Sequence, residues 1–446
     1  VRRAWEESLD AGYGEALIDA PLGGSMPGYF RDRRATGSID PLKAKALYIR
    51  RGREEGAIVA VDSIGLIARE VAACREAATS ATSIPPEKIW IHATHTHTGS
   101  NVPRYFTADA DQISPGVYSG EVEPKSMDVL REAVAKAVRS ARGSAAESTV
   151  ELAQGSAEGL AFYRRFRMKD GSVLTNPGRR NPEIVGPAGA VDTAVTVLRL
   201  KAAQSLVVVF GLHPDTIGGT LYSADYPHFL SERVRRELGE TWNVLFLNAA
   251  CGNVNHIDVT NEKQISGPDE AKRIGEALGE VVVGLLGRME PVLDATLGFA
   301  SRGVPSRLRV VSEEVVKQAE KLLAEAPEKA MSFNGLYAPA AIVLGRTAER
   351  EQCAEISALR LGSITFVGMP GEIFVELARL LAHDSPFEPT RLIGLTNGSL
   401  GYIPTRAAYD EGGYEAGYRS ARFEPGTGER WVKAALGLLQ QLAGLP

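Results

Sequence analysis

Short apolar, β-rich runs alternate along the chain with longer stretches whose apolar residues fall three or four apart. The short runs predict strands at 46–50, 57–61, 88–92, 190–200, 205–212, 244–247 and 364–367. Several are unbroken, as in SLVVVFGL at 205–212, the pattern of a strand buried on both faces. Helical spacing is clearest after Ser266, where a hydroxyl N-cap, Pro268 and Asp269 precede a stripe of Ile274, Leu278, Val281 and Leu285. Ser312 is placed to cap a second helix carrying Val315, Val316, Ala319, Leu322 and Leu323, and 431–442 reads as a C-terminal helix. The acidic, turn-rich segment 108–123 reads as a surface loop, and 326–337 as an irregular insertion. The alternation predicts an α/β protein with α+β elements, its mixed and largely buried sheets flanked by helices. No segment reads as a linker and no internal sequence repeat stands out. The expectation is therefore a single domain over 1–446 with a helical insertion near 305–350.

Composition narrows the function classes. Of 446 residues, 24% are charged and 44% hydrophobic, and 50 basic residues against 55 acidic leave a net charge of −5. There is no basic excess, so nucleic acid is not an expected partner. No apolar run reaches the roughly 18 residues of a membrane span, so no transmembrane segment is expected. Cys74, Cys251 and Cys353 are too few and too scattered for a disulfide framework or a cysteine zinc site. The opening VRRAWEESLDAGYG lacks the apolar core of a secretory signal, and a cytoplasmic protein is expected. Cys251 reads as a small buried residue, not a nucleophile.

The seven histidines are unevenly spread. His92, His95 and His97 share the segment HATHTHTG. His213 lies in GLHPD, at the end of an apolar strand and before Pro214. His228 follows DYP, and His256 lies in NVNHID. Side chains two apart on a strand face the same way, so His95 and His97 are expected to point together, a pairing that suits one metal ligand beside one acid–base or substrate group. The C-terminal end of a buried strand is a usual place for active-site groups in α/β folds, which makes His213 a second candidate ligand. Glu372, in PGE at a strand-to-helix turn, offers a carboxylate. Two histidines and one carboxylate are a common zinc donor set.

Taken in order, HTHTG at His95, GLHP at His213, YSADYP, PGE at Glu372 and GYIPTRAAYDEGGYEAG resemble the neutral, non-lysosomal ceramidase family. The likeness runs from about Gly12 to the C-terminus. It implies that family's catalytic-domain fold without its C-terminal immunoglobulin-like domain, and hydrolysis of an amide by a zinc enzyme. The ligand set it implies for Zn²⁺ is His95, His213, Glu372 and Tyr402. It also implies a substrate contact at His97, a site tyrosine at Tyr414 and an arginine at Arg164, with Arg165 and Arg167 as alternatives.

One departure bears on the chemistry. Where the family reads Gly-Asp-Val-Ser-Pro-Asn around a central serine, this chain reads Gly252-Asn-Val-Asn255-His256-Ile. An amide side chain is neither nucleophile nor base, so no serine route is open at Asn255, which can still donate a hydrogen bond to an oxyanion. His256 and Asp258 add titratable groups, as acid–base partners or as a supporting His–carboxylate pair. The expected activity is zinc-dependent hydrolysis of a C–N amide bond in a small-molecule or lipid-like substrate, with His97 or His256 moving the proton. Two rival readings follow from the lost serine: a hydrolase of a small polar amide or ester on the same scaffold, and a non-catalytic zinc-containing binding protein.

Overall fold

The computed structural model describes residues 8–29, 33–100, 124–294, 296–330, 332 and 337–444. Within them the chain runs three times through one order of elements. Three antiparallel strands are followed by a helix, a strand parallel to the third, and a second helix. The first pass uses strands Leu9–Leu17, Lys43–Arg51 and Glu54–Val61, helix Ala68–Thr82, strand Ile89–Ala93 and helix Pro124–Gly143. The second uses Val150–Ser156, Ala194–Leu200, Ser205–Phe210, helix Tyr226–Leu238, strand Asn243–Asn248 and helix Pro268–Leu285. The third uses Leu297–Arg307, Glu351–Leu361, Ile364–Gly368, helix Val375–Asp384, strand Thr390–Ile393 and helix Thr427–Ala443.

Strand alternation explains how the three sheets assemble. In the second pass Val207 and Val209 point to one face while Leu206, Val208 and Phe210 point to the other. The first set joins Leu47 and Ile58 of the first sheet and Leu359, Ile364 and Phe366 of the third in one shared core. The second set meets Leu230, Val234, Ile274 and Leu278 of its own two helices. The first and third sheets are covered by their helices in the same way. Burying each such side chain contributes roughly 1.5–3 kcal/mol, so both faces of every sheet are committed.

The C-terminal ends of the three parallel strands meet. The amide of Ala93 donates to Leu395 O (3.1 Å) and that of Gly394 to Asn248 O (3.1 Å). Asn248 Nδ2 closes the ring on Thr94 O (3.2 Å). His92 is fully buried here, with Nδ1 on Gly394 O (2.9 Å) and Nε2 accepting from the Asn248 amide (3.0 Å). Burial drives its pKa down to about 3, so it is a neutral structural tie between the sheets.

Each predicted strand is present, with small changes of boundary: the one expected at 190–200 starts at Ala194, and the one at 205–212 ends at Phe210. Ser312 caps as expected, accepting from the Val315 amide (3.3 Å). Ser266 does not: Gly267 holds the cap position at φ 77°, with Pro268, Asp269 and Glu270 in the first turn. The region 305–350 contains helices Glu313–Glu325, Pro327–Ala330 and Ala338–Arg346, between two adjacent strands of the third sheet. The loop expected at 108–123 lies outside the described residues. Among those described, no helix is long and apolar enough to cross a membrane.

Candidate metal centre

Three strand ends, one from each pass, deliver the site. His95 lies two residues beyond Ile89–Ala93, not on it as the pleat argument supposed. Its φ of 76° turns the chain out of the strand, and its amide and Nδ1 are taken by Ser63 O (2.9 Å) and Ile64 O (2.6 Å). His95 and His97 still meet, with ring centroids 5.0 Å apart, but through this turn. His213 follows Ser205–Phe210 and binds Cys251 O through Nδ1 (3.1 Å). Glu372 opens the two-residue strand Glu372–Ile373, which pairs in parallel with Tyr402–Ile403, so Glu372 and Tyr402 stand side by side.

With both Nδ1 atoms donating to carbonyls, both Nε2 atoms are turned into the site, where they face each other at 3.0 Å. Glu372 Oε2 lies 3.3 Å from His95 Nε2 and 3.6 Å from His213 Nε2, buried and without a well-formed hydrogen bond. Burial, with the charges of His95 and Arg164, drives the His213 pKa down to about 3. Burial works against the Glu372 anion, yet His95, His213 and the Tyr402 phenol hold its pKa far below the usual carboxylate range. Two imidazole nitrogens and a carboxylate oxygen thus converge on one buried point, and N/N/O donors of this kind suit zinc.

The Tyr402 ring lies parallel to His213 (centroids 6.5 Å, 7° between planes) and meets Tyr414 edge-on at 5.5 Å. Burial raises its phenol well above the ordinary value, against the pull of Arg164. His97 is close enough to be a ligand itself, since one nitrogen from each of His95, His97 and His213 falls within 4.8 Å of the others. Both its ring nitrogens are buried without a hydrogen bond, and burial with the two neighbouring histidines lowers its pKa strongly. Gly28 and Arg33 hold it in place. A side chain at Gly28 (φ 113°) would strike the imidazole at 2.8 Å, and Arg33 Nη2 donates to His97 O (2.5 Å).

Of the three arginines only Arg164 stands over Tyr402, its guanidinium 5.3 Å from the ring centroid, with Nε on Glu415 Oε1 (2.7 Å) and Nη2 on Gly252 O (2.8 Å). Arg165 turns to Glu411 and Gly412 O, and Arg167 is exposed and paired with Glu411. Asn255 is fully buried, and its amide spans from the Asn176 side chain (2.9 Å) to the Ile257 amide (3.0 Å). His256 pairs through Nδ1 with Asp215 (3.2 Å), whereas Asp258 accepts from Thr260. Burial opposes the imidazolium, but Asp215 outweighs it and raises the His256 pKa. Sequence reasoning gave no role to Asp215, Glu415 or the carbonyls of Ile64 and Cys251. The Asp after His-Pro was a visible signal, while backbone acceptors leave none.

No protein-family profile and no curated protein matches the sequence. Solved structures do. The neutral ceramidase from Pseudomonas aeruginosa matches with a TM-score of 0.75 and 17% identity, over 98% of this chain and 75% of that one. A ceramidase complexed with C2 gives 0.72 and 16%, over 98% and 76%. The fold is thus the α/β neutral-ceramidase fold.

Proposed function

We propose that this chain is a zinc-dependent hydrolase of a C–N amide bond. The observation that carries the reading is the convergence of His95 Nε2, His213 Nε2 and Glu372 Oε2 within 3.6 Å. His95, His213, Glu372 and Tyr402 would hold the ion, with His97 beside them. Bound zinc supplies a polarised carbonyl and a water whose pKa falls towards about 7. The protein's own groups do the rest. Ile64 O and Cys251 O fix the tautomer and direction of the two imidazoles. Glu415 and Gly252 O hold Arg164 over Tyr402, where its positive charge supports a developing oxyanion. Asn255 stands at the position of the family serine as a hydrogen-bonding amide, so the water, not a side chain, is the nucleophile.

The ceramidase neighbours suggest a lipid-like amide. A second reading, a small polar amide or ester, draws on the buried polar groups around the site: Asn176, Asn255, Arg164 and Glu415. Chelator-washed protein reconstituted with zinc tests the assignment. One tightly held ion per chain is expected, lost in His95→Ala and Glu372→Ala. Wild-type zinc affinity in both variants would refute the ligand set. Turnover of long-chain N-acyl amines against short polar amides then separates the two substrate classes.

A further inference from the structure

Resting on that hydrolase reading, we propose that Asp215 and His256 form a proton-donating dyad for the departing amine, a device with no counterpart in the ceramidase motif that this segment otherwise resembles. Both side chains come from the second pass. Asp215 lies two residues past His213 on one strand end, and His256 next to Asn255 on the other. They meet at 3.2 Å through His256 Nδ1 and Asp215 Oδ1. The pair is well buried, with side-chain exposures of 8% for His256 and 21% for Asp215. His256 Nε2 finds no hydrogen-bond partner among the described residues. An imidazole oriented by a carboxylate at one nitrogen and free at the other is the arrangement of a general acid.

The surroundings favour His256 over His97 for this step. His97 is wedged against Gly28, and neither of its ring nitrogens has a hydrogen-bond partner to orient it. The chemistry also needs a donor here. Hydrolysis forms a C–O bond from water and breaks the C–N bond, and an amine anion is too poor a leaving group to depart unprotonated. His256 Nε2 gives its proton to the nitrogen as the bond breaks, and the proton shed by the water returns to the imidazole. The dyad ends as it began, and the products are one carboxylic acid and one amine.

A leaving-group comparison tests this on the zinc-loaded full chain. The probes are an N-alkyl amide and the p-nitrophenyl ester of one acyl group, because p-nitrophenolate departs without a proton. His256→Gln should lower kcat/KM for the amide by about 100- to 1,000-fold, and for the ester at least tenfold less. Asp215→Asn should show the same selectivity more weakly. A series of anilides should depend more steeply on leaving-group acidity in both variants. Equal losses on amide and ester with zinc retained, or undiminished amide hydrolysis, overturn the dyad. Should His256→Gln lose its zinc, the anilide slope of Asp215→Asn decides. Zinc-loaded wild type that cleaves neither probe refutes the hydrolase reading instead.

Discussion

Replacing Glu372 by Gln removes the anionic donor from beside the two imidazoles while keeping its shape. The expected result is zinc binding weaker by on the order of 100-fold, read by competition with a chelator. His97→Ala gives a different result if His97 lies outside the ligand set: nearly unchanged zinc affinity, with activity down by about 100-fold or more. Loss of the ion in that variant would make His97 a ligand. Asp62 carries a prediction of another kind. Burial raises its pKa from the ordinary 3.8 to about 6, against the pull of Lys45. Between those values the native state holds a proton that the unfolded chain has lost, so stability falls as pH rises through that window, by about 3 kcal/mol at most. Asp62→Asn can still accept from the Lys43 amide and donate to Thr94, whose contacts with Asp62 are 2.9 and 3.3 Å. The Tm of its metal-free form should therefore change less between pH 4 and 6 than that of wild type; an unaltered pH profile would argue against a proton at Asp62. At this scale the sequence showed the histidines and Glu372, because candidate ligand side chains announce themselves by type, whereas Tyr402 came only from the resemblance to the ceramidase family. It could not show that His95 leaves its strand at positive φ, since that turn is set by carbonyls of another segment.

Elements meet at the site through close backbone approach. The Gly252 amide donates to Ile373 O (2.9 Å), and a Cβ at Gly252 would lie 2.4 Å from the Glu372 carbonyl oxygen. The loop after Asn243–Asn248 thus fixes the strand Glu372–Ile373. Gly252→Ala should cost about 1–3 kcal/mol and displace Glu372, weakening zinc binding as well. Gly284 is the contrast. It sits in the helix Pro268–Leu285 with nothing within 4 Å of a Cβ, so Gly284→Ala should stabilise by roughly 0.4–1 kcal/mol and leave zinc binding alone. Denaturant melts with a zinc titration on each variant check both; equal behaviour would show that the approach at Gly252 is slack. Strand positions were legible because apolar runs buried on both faces have few other uses. The cap at Gly267 was not, because the serine and the glycine beside it compete for one position and the local turn decides.

The threefold pass through the same elements escaped sequence reading because what repeats is the order and polarity of elements, while the residues at equivalent places differ. After the third strand of each pass come Ile64, which lends only a carbonyl, then His213, then Glu372. A scaffold of like units thus carries an asymmetric site at the point where their strand ends meet. It also links Leu9 of the first pass to Leu442 of the third through a chain of polar contacts. Arg360 bonds the Leu442 carbonyl (2.9 Å) and Asp294 (3.1 Å), Asp294 reaches Arg51 (3.7 Å), and Arg51 pairs with Leu9. If each pass is a closed unit, the boundary between the second and third is as good a start as the present one. A circular permutant opened between Val292 and Leu293, where Leu293 is 91% exposed, with Ser8 and Gly444 joined by a flexible Gly/Ser linker, should fold and bind one zinc. Its Tm should fall by no more than a few degrees, because the cut breaks no strand pairing: the short edge pairing of Glu290–Pro291 ends before it, and the ladder that starts at Leu297 begins four residues after Leu293. A permutant that is insoluble, or soluble but unable to hold the ion, would mean that continuity across 285–297 is itself needed to bring His213 and Glu372 together.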